Sequence, residues 1–346
     1  RQSPNKIVSL IIFFLNTFIQ TLYQIFSVDI EKIERLLTQQ LSLTRLKGLR
    51  DINHYVVSAP GKRLRPLFHT LCYRHALDND QARFSHHTYS FSAALELIHM
   101  ASLIHDDIID DADIRHNQPA IHTKYGVGVA IPIGVNYYSV ALNLLSSLND
   151  MRFIRSISHA VKQLCEGELD QVFERFNLDL SLDNYLVLVR KKTAALFESA
   201  GFSAGLMAGL SPSDSYIYKR IGYSLGMMFQ LSDDYLDLMD VDGTLSKSLG
   251  QDLFQGDMTL PMLVYVNDLD NSAKRSLVQR MKDRDSTIIE EVCAGLLKPH
   301  VREKLADLFG YYRTRYIDSL AKLKSNEYSG TFEIILSILD ERFNGS

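Results

Sequence analysis

Residues 96–112 read Glu96-Leu97-Ile98-His99-Met100-Ala101-Ser102-Leu103-Ile104-His105-Asp106-Asp107-Ile108-Ile109-Asp110-Asp111-Ala112, an apolar run that closes on a cluster of aspartates. On a helix, positions four apart lie about 40° around the axis and one turn along, so Asp106 and Asp110 share a face and Asp107 flanks it. A second stretch, Phe229-Gln230-Leu231-Ser232-Asp233-Asp234-Tyr235-Leu236-Asp237, ends in the same D-D-x-x-D spacing and sets Asp233, Asp234 and Asp237 alike. The two lie too far apart in the chain for a local repeat, and the natural solution is two opposed helices of one bundle.

Working outward from these stretches, apolar residues recur at helical spacing almost everywhere, as in Ile30, Ile33, Leu36 and Leu37, or Leu182, Tyr185, Leu186 and Val189. No strand-turn-strand pattern appears, and no Pro/Gly/Ser-rich linker divides the chain. The expectation is therefore an all-α fold, one large helical bundle, over residues 29–346. Ahead of it, residues 1–28 contain a run without charge between Lys6 and Asp29. Its polar residues fall largely on one side of a helical wheel, which reads as an apolar helix facing a partner or a membrane surface, or as the remnant of a targeting segment.

The 346 residues include 37 Lys and Arg against 41 Asp and Glu, a balance that excludes a nucleic-acid partner held by its phosphate backbone. Three cysteines without C-x-x-C spacing argue against a disulfide framework or structural zinc and fit a reducing compartment. The expected location is the cytoplasm, with membrane association or a mitochondrial location as alternatives tied to the N-terminal segment.

Carboxylates as dense as these repel one another and, in a cleft between apolar turns, take up protons unless a cation sits among them. Magnesium prefers carboxylate oxygens and shares substrate phosphates, so two acidic faces across a cavity read as a Mg2+ clamp for a diphosphate. Each triplet taken alone would pass for a solvated helix end; two copies behind apolar runs do not. Lys62, Arg63 and Arg65 open an apolar helix and could hold a second anion. Arg115 and Lys247 lie in the loops beyond the two acidic faces. The chemistry suggested is ionisation of a carbon–diphosphate bond, with cations neutralising the leaving group and an apolar cavity holding the carbocation.

With these motifs in the expected order from about Asp29 to the C-terminus, the chain resembles the trans-isoprenyl diphosphate synthases, in particular the catalytic subunits of bacterial hexaprenyl and heptaprenyl diphosphate synthases. The resemblance implies that Asp106, Asp107, Asp110, Asp233, Asp234 and Asp237 bind magnesium and the allylic diphosphate. It implies that Lys62, Arg65 and His99 hold isopentenyl diphosphate, that Arg115, Lys192 and Lys247 hold the allylic diphosphate, and that Lys192, Thr193 and Gln230 face the reacting carbons. A homodimer, or a heteromer with a second synthase subunit, follows from the same likeness.

Three departures stand out. The family's Arg-Arg-Gly-x-Pro reads Arg115-His116-Asn117-Gln118-Pro119, so His116 takes the place of an arginine expected on isopentenyl diphosphate. Gly-Lys-x-Thr-Leu-Pro reads Gly256-Asp257-Met258-Thr259-Leu260-Pro261, and a helical Gly-Asp reads Gly134-Val135. Ala101 and Ser102, about 6 to 7.5 Å below the carboxylates on the helix rise, are small and leave a path open for a growing chain longer than fifteen carbons; Tyr137 and Tyr138 are candidates for a deeper floor. Two rivals remain: a terpene cyclase on the same fold, which Lys62, Arg65 and His99 speak against, and a regulatory subunit, which the intact aspartates speak against.

Overall fold

The computed structural model describes residues 20–346 except 60, 79, 81–83, 117, 240–250, 297, 345 and 346. The described chain is helical nearly throughout. α1 (Ser27–Ser42), α2 (Lys47–Ser58), α3 (Leu64–Leu77) and α4 (His87–Ile109) lead to a two-residue hairpin, β1 (Ile114–Arg115) against β2 (Gln118–Pro119). α5 (Ile121–Tyr125), α6 (Val127–Ser146), α7 (Met151–Phe173) and α8 (Leu182–Val189) follow, and a π-helical turn (Arg190–Ala194) joins α8 to α9 (Ala195–Met207). The remainder is α10 (Pro212–Met239), α11 (Gln251–Gln255), α12 (Leu260–Val266), α13 (Asn271–Lys282), α14 (Thr287–Leu296), α15 (Pro299–Leu320) and α16 (Ser329–Asn344). The hairpin is the only departure from the all-α reading among the described residues, too short to carry an apolar alternation that sequence inspection could find.

α4 buries residues on every side, from Thr88 through Leu95 and Ile98 to Asp107, and packs on α1, α3 and α6. A helix apolar all round belongs in the centre of a bundle. α9 is the other central element, pressed between α3, α7 and α10. Its contact with α10 is made backbone to backbone through glycines on both helices. A Cβ at Gly201 would stand 2.2 Å from the Tyr218 carbonyl oxygen, and one at Gly222 2.2 Å from that of Phe197. This close approach aims the C-terminal half of α10, with its aspartates, at the turn that carries Lys192 and Thr193.

Residues 20–28, the far end of the predicted apolar segment, send Leu22 and Phe26 into this core while Ile25 and Val28 stay exposed. Leu22 and Phe26 are almost wholly buried in an apolar pocket with Leu67, Phe68 and Leu71 of α3 and Ile338 and Leu339 of α16. The Tyr23 hydroxyl donates to the Gly61 carbonyl at 3.1 Å. Residues 1–19 of the segment lie outside the described residues.

Candidate active site

A cavity of about 510 Å³ opens between the C-terminal ends of α4 and α10, a size suited to small-molecule ligands. The stripe His99, Ser102, Leu103 and Asp106 of α4, with Asp110 at the helix's C-terminal cap, lines it. Ala101 does not: it is fully buried in the core, while Ser102 stands on the cavity wall. The phase of the helix is the reason. Five residues before Asp106 places Ala101 about 140° around the axis, whereas four residues places Ser102 about 40° away. Tyr137 is likewise core, its hydroxyl donating to Asn53 Oδ1 at 3.0 Å, and Tyr138 lies against the His105 ring. Neither lines the cavity.

At the acidic end, burial pushes the Asp106 carboxyl well above the usual carboxylate range; the neighbouring Glu168 and Asp110 add to this, against Lys192 and Arg115. Burial also raises Asp107, which Arg115 opposes by donating from Nε to Oδ1 at 2.8 Å. Asp110 accepts from Arg175 Nη2 at 2.7 Å. On α10, Asp233 is paired with Arg342 of α16, and Asp234 accepts from the Tyr185 hydroxyl and, at 2.8 Å, from Gln230 Nε2. Lys247 and the side chain of Asp237 lie outside the described residues.

Among the described residues no three His, Cys, Asp or Glu side chains are gathered to hold a metal ion by themselves. The donor set nevertheless fits a hard divalent ion that keeps water and is completed by substrate oxygens. Asp106 is desolvated beside two like charges, and a cation is what such a group lacks.

The π-helical turn places Lys192 and Thr193 on the cavity wall. Such turns widen the helix locally and recur at functional sites. Burial disfavours the Lys192 charge, but Glu168, Asp106 and Asp110 outweigh it and hold the ammonium protonated. Its Nζ donates to Glu168 at 3.0 Å and to Gln171 at 2.7 Å. Thr193 donates to Gln230 Oε1 at 2.6 Å, so hydroxyl, amide and Asp234 form one chain along the wall.

The cationic end faces this arrangement. Arg63, at φ 45° ahead of α3, is buried between Glu34 and Glu96, with bonds of 2.6 and 3.0 Å. That leaves Lys62 and Arg65 on the cavity wall with His99, His116 and Arg342. Burial, then the Arg342 charge, pulls Lys62 down to about 8, and burial pulls Arg65 and Arg342 each to about 10. His99 is held well below its usual range by burial and then by Arg65, Arg115 and Arg63. Arg65 Nε and Arg342 Nε and Nη1 are buried with no hydrogen-bond partner among the described residues. Buried N–H groups of this kind cost free energy until an anion accepts them.

The departures also find their places. His116 takes the left-handed conformation of the hairpin turn at φ 51°, while Asn117 lies outside the described residues. Val135 is on the exposed face of α6, away from the cavity, and Gly134 beside it lies against the His105 ring, where a Cβ would stand 2.3 Å from Nε2. Asp257 is buried against Arg175 and Gln171. Glu168, Gln171, Arg175, Tyr185 and Arg342 line the cavity or serve its carboxylates without having been singled out in the sequence. Gly167 beside the first of these lets α7 approach the π-helical turn closely, since a Cβ there would stand 2.8 Å from the Lys192 amide nitrogen.

The polyprenyl synthetase family model matches residues 46–296. The heptaprenyl diphosphate synthase component 2 of Geobacillus stearothermophilus is 30% identical over 327 residues, covering 94% of this chain and 99% of that one. The octaprenyl diphosphate synthase of Escherichia coli strain K12 is 31% identical over 246 residues, 68% of this chain and 75% of its own. Among solved structures, a polyprenyl synthase from Caulobacter crescentus CB15 complexed with calcium and isoprenyl diphosphate superposes with a TM-score of 0.85 at 26% identity, covering 93% of this chain and 97% of the other.

Proposed function

Because the chain belongs to the polyprenyl synthetase family, and so is a prenyltransferase, we propose that it is an all-trans long-chain polyprenyl diphosphate synthase, adding isopentenyl diphosphate repeatedly to an allylic diphosphate. The observation that carries this reading is the pairing, in one cavity, of a crowded carboxylate end with a desolvated cationic end, where Arg65 Nε and Arg342 Nε and Nη1 are buried without a hydrogen-bond partner among the described residues. One diphosphate belongs to each end. A cyclase needs only the first, so the built cationic end favours condensation of two substrates.

Asp106, Asp110, Asp233 and Asp234 would hold Mg2+, which supplies charge neutralisation of the leaving diphosphate. Lys192, kept protonated, adds a donor to the same leaving group. Thr193 and Gln230 present oriented dipoles to the carbon that becomes cationic, and Met100, Leu103, Leu164 and Phe229 keep water from it. Lys62, Arg65 and His99 would orient isopentenyl diphosphate so that its double bond meets that carbon. The departing diphosphate then accepts the proton lost in forming the new double bond.

For partners, α6 has no charged side chain and exposes Val127, Ile131, Val135 and Leu142. An exposed apolar face of this kind suits a second subunit, either another copy or the partner that the name component 2 implies for the Geobacillus relative. A cytoplasmic location suits the three free cysteines. Asp106→Ala and Asp233→Ala test the clamp. Each should lower turnover by at least ~100-fold, the scale of several kcal/mol of transition-state stabilisation, with the helical signal intact. Near-normal turnover in either would misplace the clamp.

A further inference from the structure

Three segments distant in sequence meet beside the first acidic motif. The end of α4 brings Asp110, the end of α7 brings Gln171 and Arg175, and the stretch between α11 and α12 brings Asp257. The Arg175 guanidinium spans the joint, donating from Nε to Asp257 Oδ1 at 3.0 Å and from Nη2 to Asp110 Oδ1 at 2.7 Å. Gln171 Nε2 donates to the other Asp257 oxygen, and Gln255 Nε2 to the Asp110 carbonyl at 2.6 Å. The backbone is keyed as well. The Phe176 amide donates to the Gly256 carbonyl at 2.7 Å, and Gly256, at φ 82°, lies so close to the Phe176 ring that a Cβ would stand 2.6 Å from it.

Asp257 stands where the resemblance calls for a lysine, and it is only 4% exposed. A buried carboxylate that forgoes a cation directed at substrate needs a reason. A planar guanidinium has two bonding edges in fixed relation, so anchoring one edge on a buried acceptor sets the direction of the other. We infer that Asp257 and Arg175 act as one positioning unit that fixes the Asp110 carboxylate for the divalent ion. The cation expected at position 257 is relocated to Arg175, one carboxylate away from the diphosphate. This rests on the proposed role of Asp110 as a metal ligand.

The test is Mn2+ binding in the presence of inorganic pyrophosphate, followed by the paramagnetic signal of free Mn2+, for the wild type, Arg175→Gln, Asp257→Asn, the double variant and Arg175→Lys. Each single substitution is expected to weaken Mn2+ binding about tenfold. The double variant should be no weaker than the weaker single, because groups acting through one linkage are not additive. Arg175→Lys, which keeps the charge and loses the fork, should fall between. The Mn2+ concentration for half-maximal turnover should shift by the same factor, and circular dichroism reports whether each variant is folded. Unchanged Mn2+ binding in both folded single variants, or losses that multiply in the double, overturns the inference while leaving the metal site standing. Failure of the wild type to bind Mn2+ with pyrophosphate overturns the metal reading, and this inference with it.

Discussion

His116 holds a place where a permanent cation is expected, and its surroundings decide what it can do there. Burial, then Arg115, Lys62 and Arg63, press its pKa below the usual imidazole range, so without substrate it is neutral at pH 7. A diphosphate set among the same cations would raise it, and binding would then take up a proton. The sign follows: affinity falls as pH rises between the free and the bound pKa. KM for isopentenyl diphosphate should rise from pH 6 to 8 in the wild type, and rise less, from a lower value, in His116→Arg. Steady-state kinetics on both proteins checks this, and identical pH profiles would remove His116 from the site. Much at this scale was legible in the sequence. Asp106, Asp110, Asp233, Lys62, Arg65, His99, Lys192, Thr193 and Gln230 all line one cavity. Arg175 and Arg342 were not, because an arginine near a helix end looks the same whether it meets solvent or a buried aspartate from another part of the chain.

At the scale of elements, helix phase decides what the sequence spacing left open. Ser102 and Ala101 lie within one residue of each other along α4, yet only Ser102 faces the cavity. Ser102→Phe should therefore stop elongation early, with the first condensation retained, as seen by chromatography of the dephosphorylated products. Ala101→Phe should instead overpack the core, costing about 1–3 kcal/mol in denaturant unfolding with little change in product length among molecules that fold. The opposite assignment of effects would mean that the chain grows along the other side of α4. The N-terminal segment divides in the same way. Leu22 and Phe26 fill an apolar pocket, so Leu22→Ala with Phe26→Ala should cost about 5 kcal/mol or more of stability, since each large-to-small change in a core costs about 2–5 kcal/mol. Removing residues 1–19 spares these contacts; we propose that it alters oligomeric mass or vesicle flotation instead. Light scattering and flotation of the two proteins separate these outcomes, and a shortened chain that matches the full one in both would leave the apolar run without a partner or membrane role. The expected boundary at residue 28 came from charge, which begins at Asp29, whereas packing begins earlier.

For the molecule as a whole, one large helical domain was readable from periodicity and the absence of linkers. The glycine contacts between α9 and α10 and the π-helical turn were not, because both depend on what the opposite helix presents. Two buried histidines add a property of the whole fold. His69, held by Ser92, and His75, held by Tyr218 and Ser329, are pressed by burial to about 3 and about 4. Unfolded, both protonate near pH 6.5, so the unfolded state binds more protons below that pH and stability falls as pH drops from about 6.5 toward 4. For His75 alone the loss by pH 4 is roughly 3 kcal/mol, because each tenfold difference in proton affinity between the folded and unfolded chain is worth about 1.4 kcal/mol. Melting temperatures across this range should show the decline, and His75→Gln should make it shallower; an unaltered slope would mean that another group sets the acid limit.

The central claim is that one cavity joins two diphosphate substrates, end after end, into a long chain. It is tested most directly by incubating the pure protein with labelled isopentenyl diphosphate, a short allylic diphosphate and Mg2+, then sizing the dephosphorylated products. The account predicts a ladder of linear all-trans prenyl alcohols running past twenty carbons, dependent on both substrates and on the metal. A cyclic hydrocarbon formed from the allylic substrate alone, without incorporation of label, would contradict it.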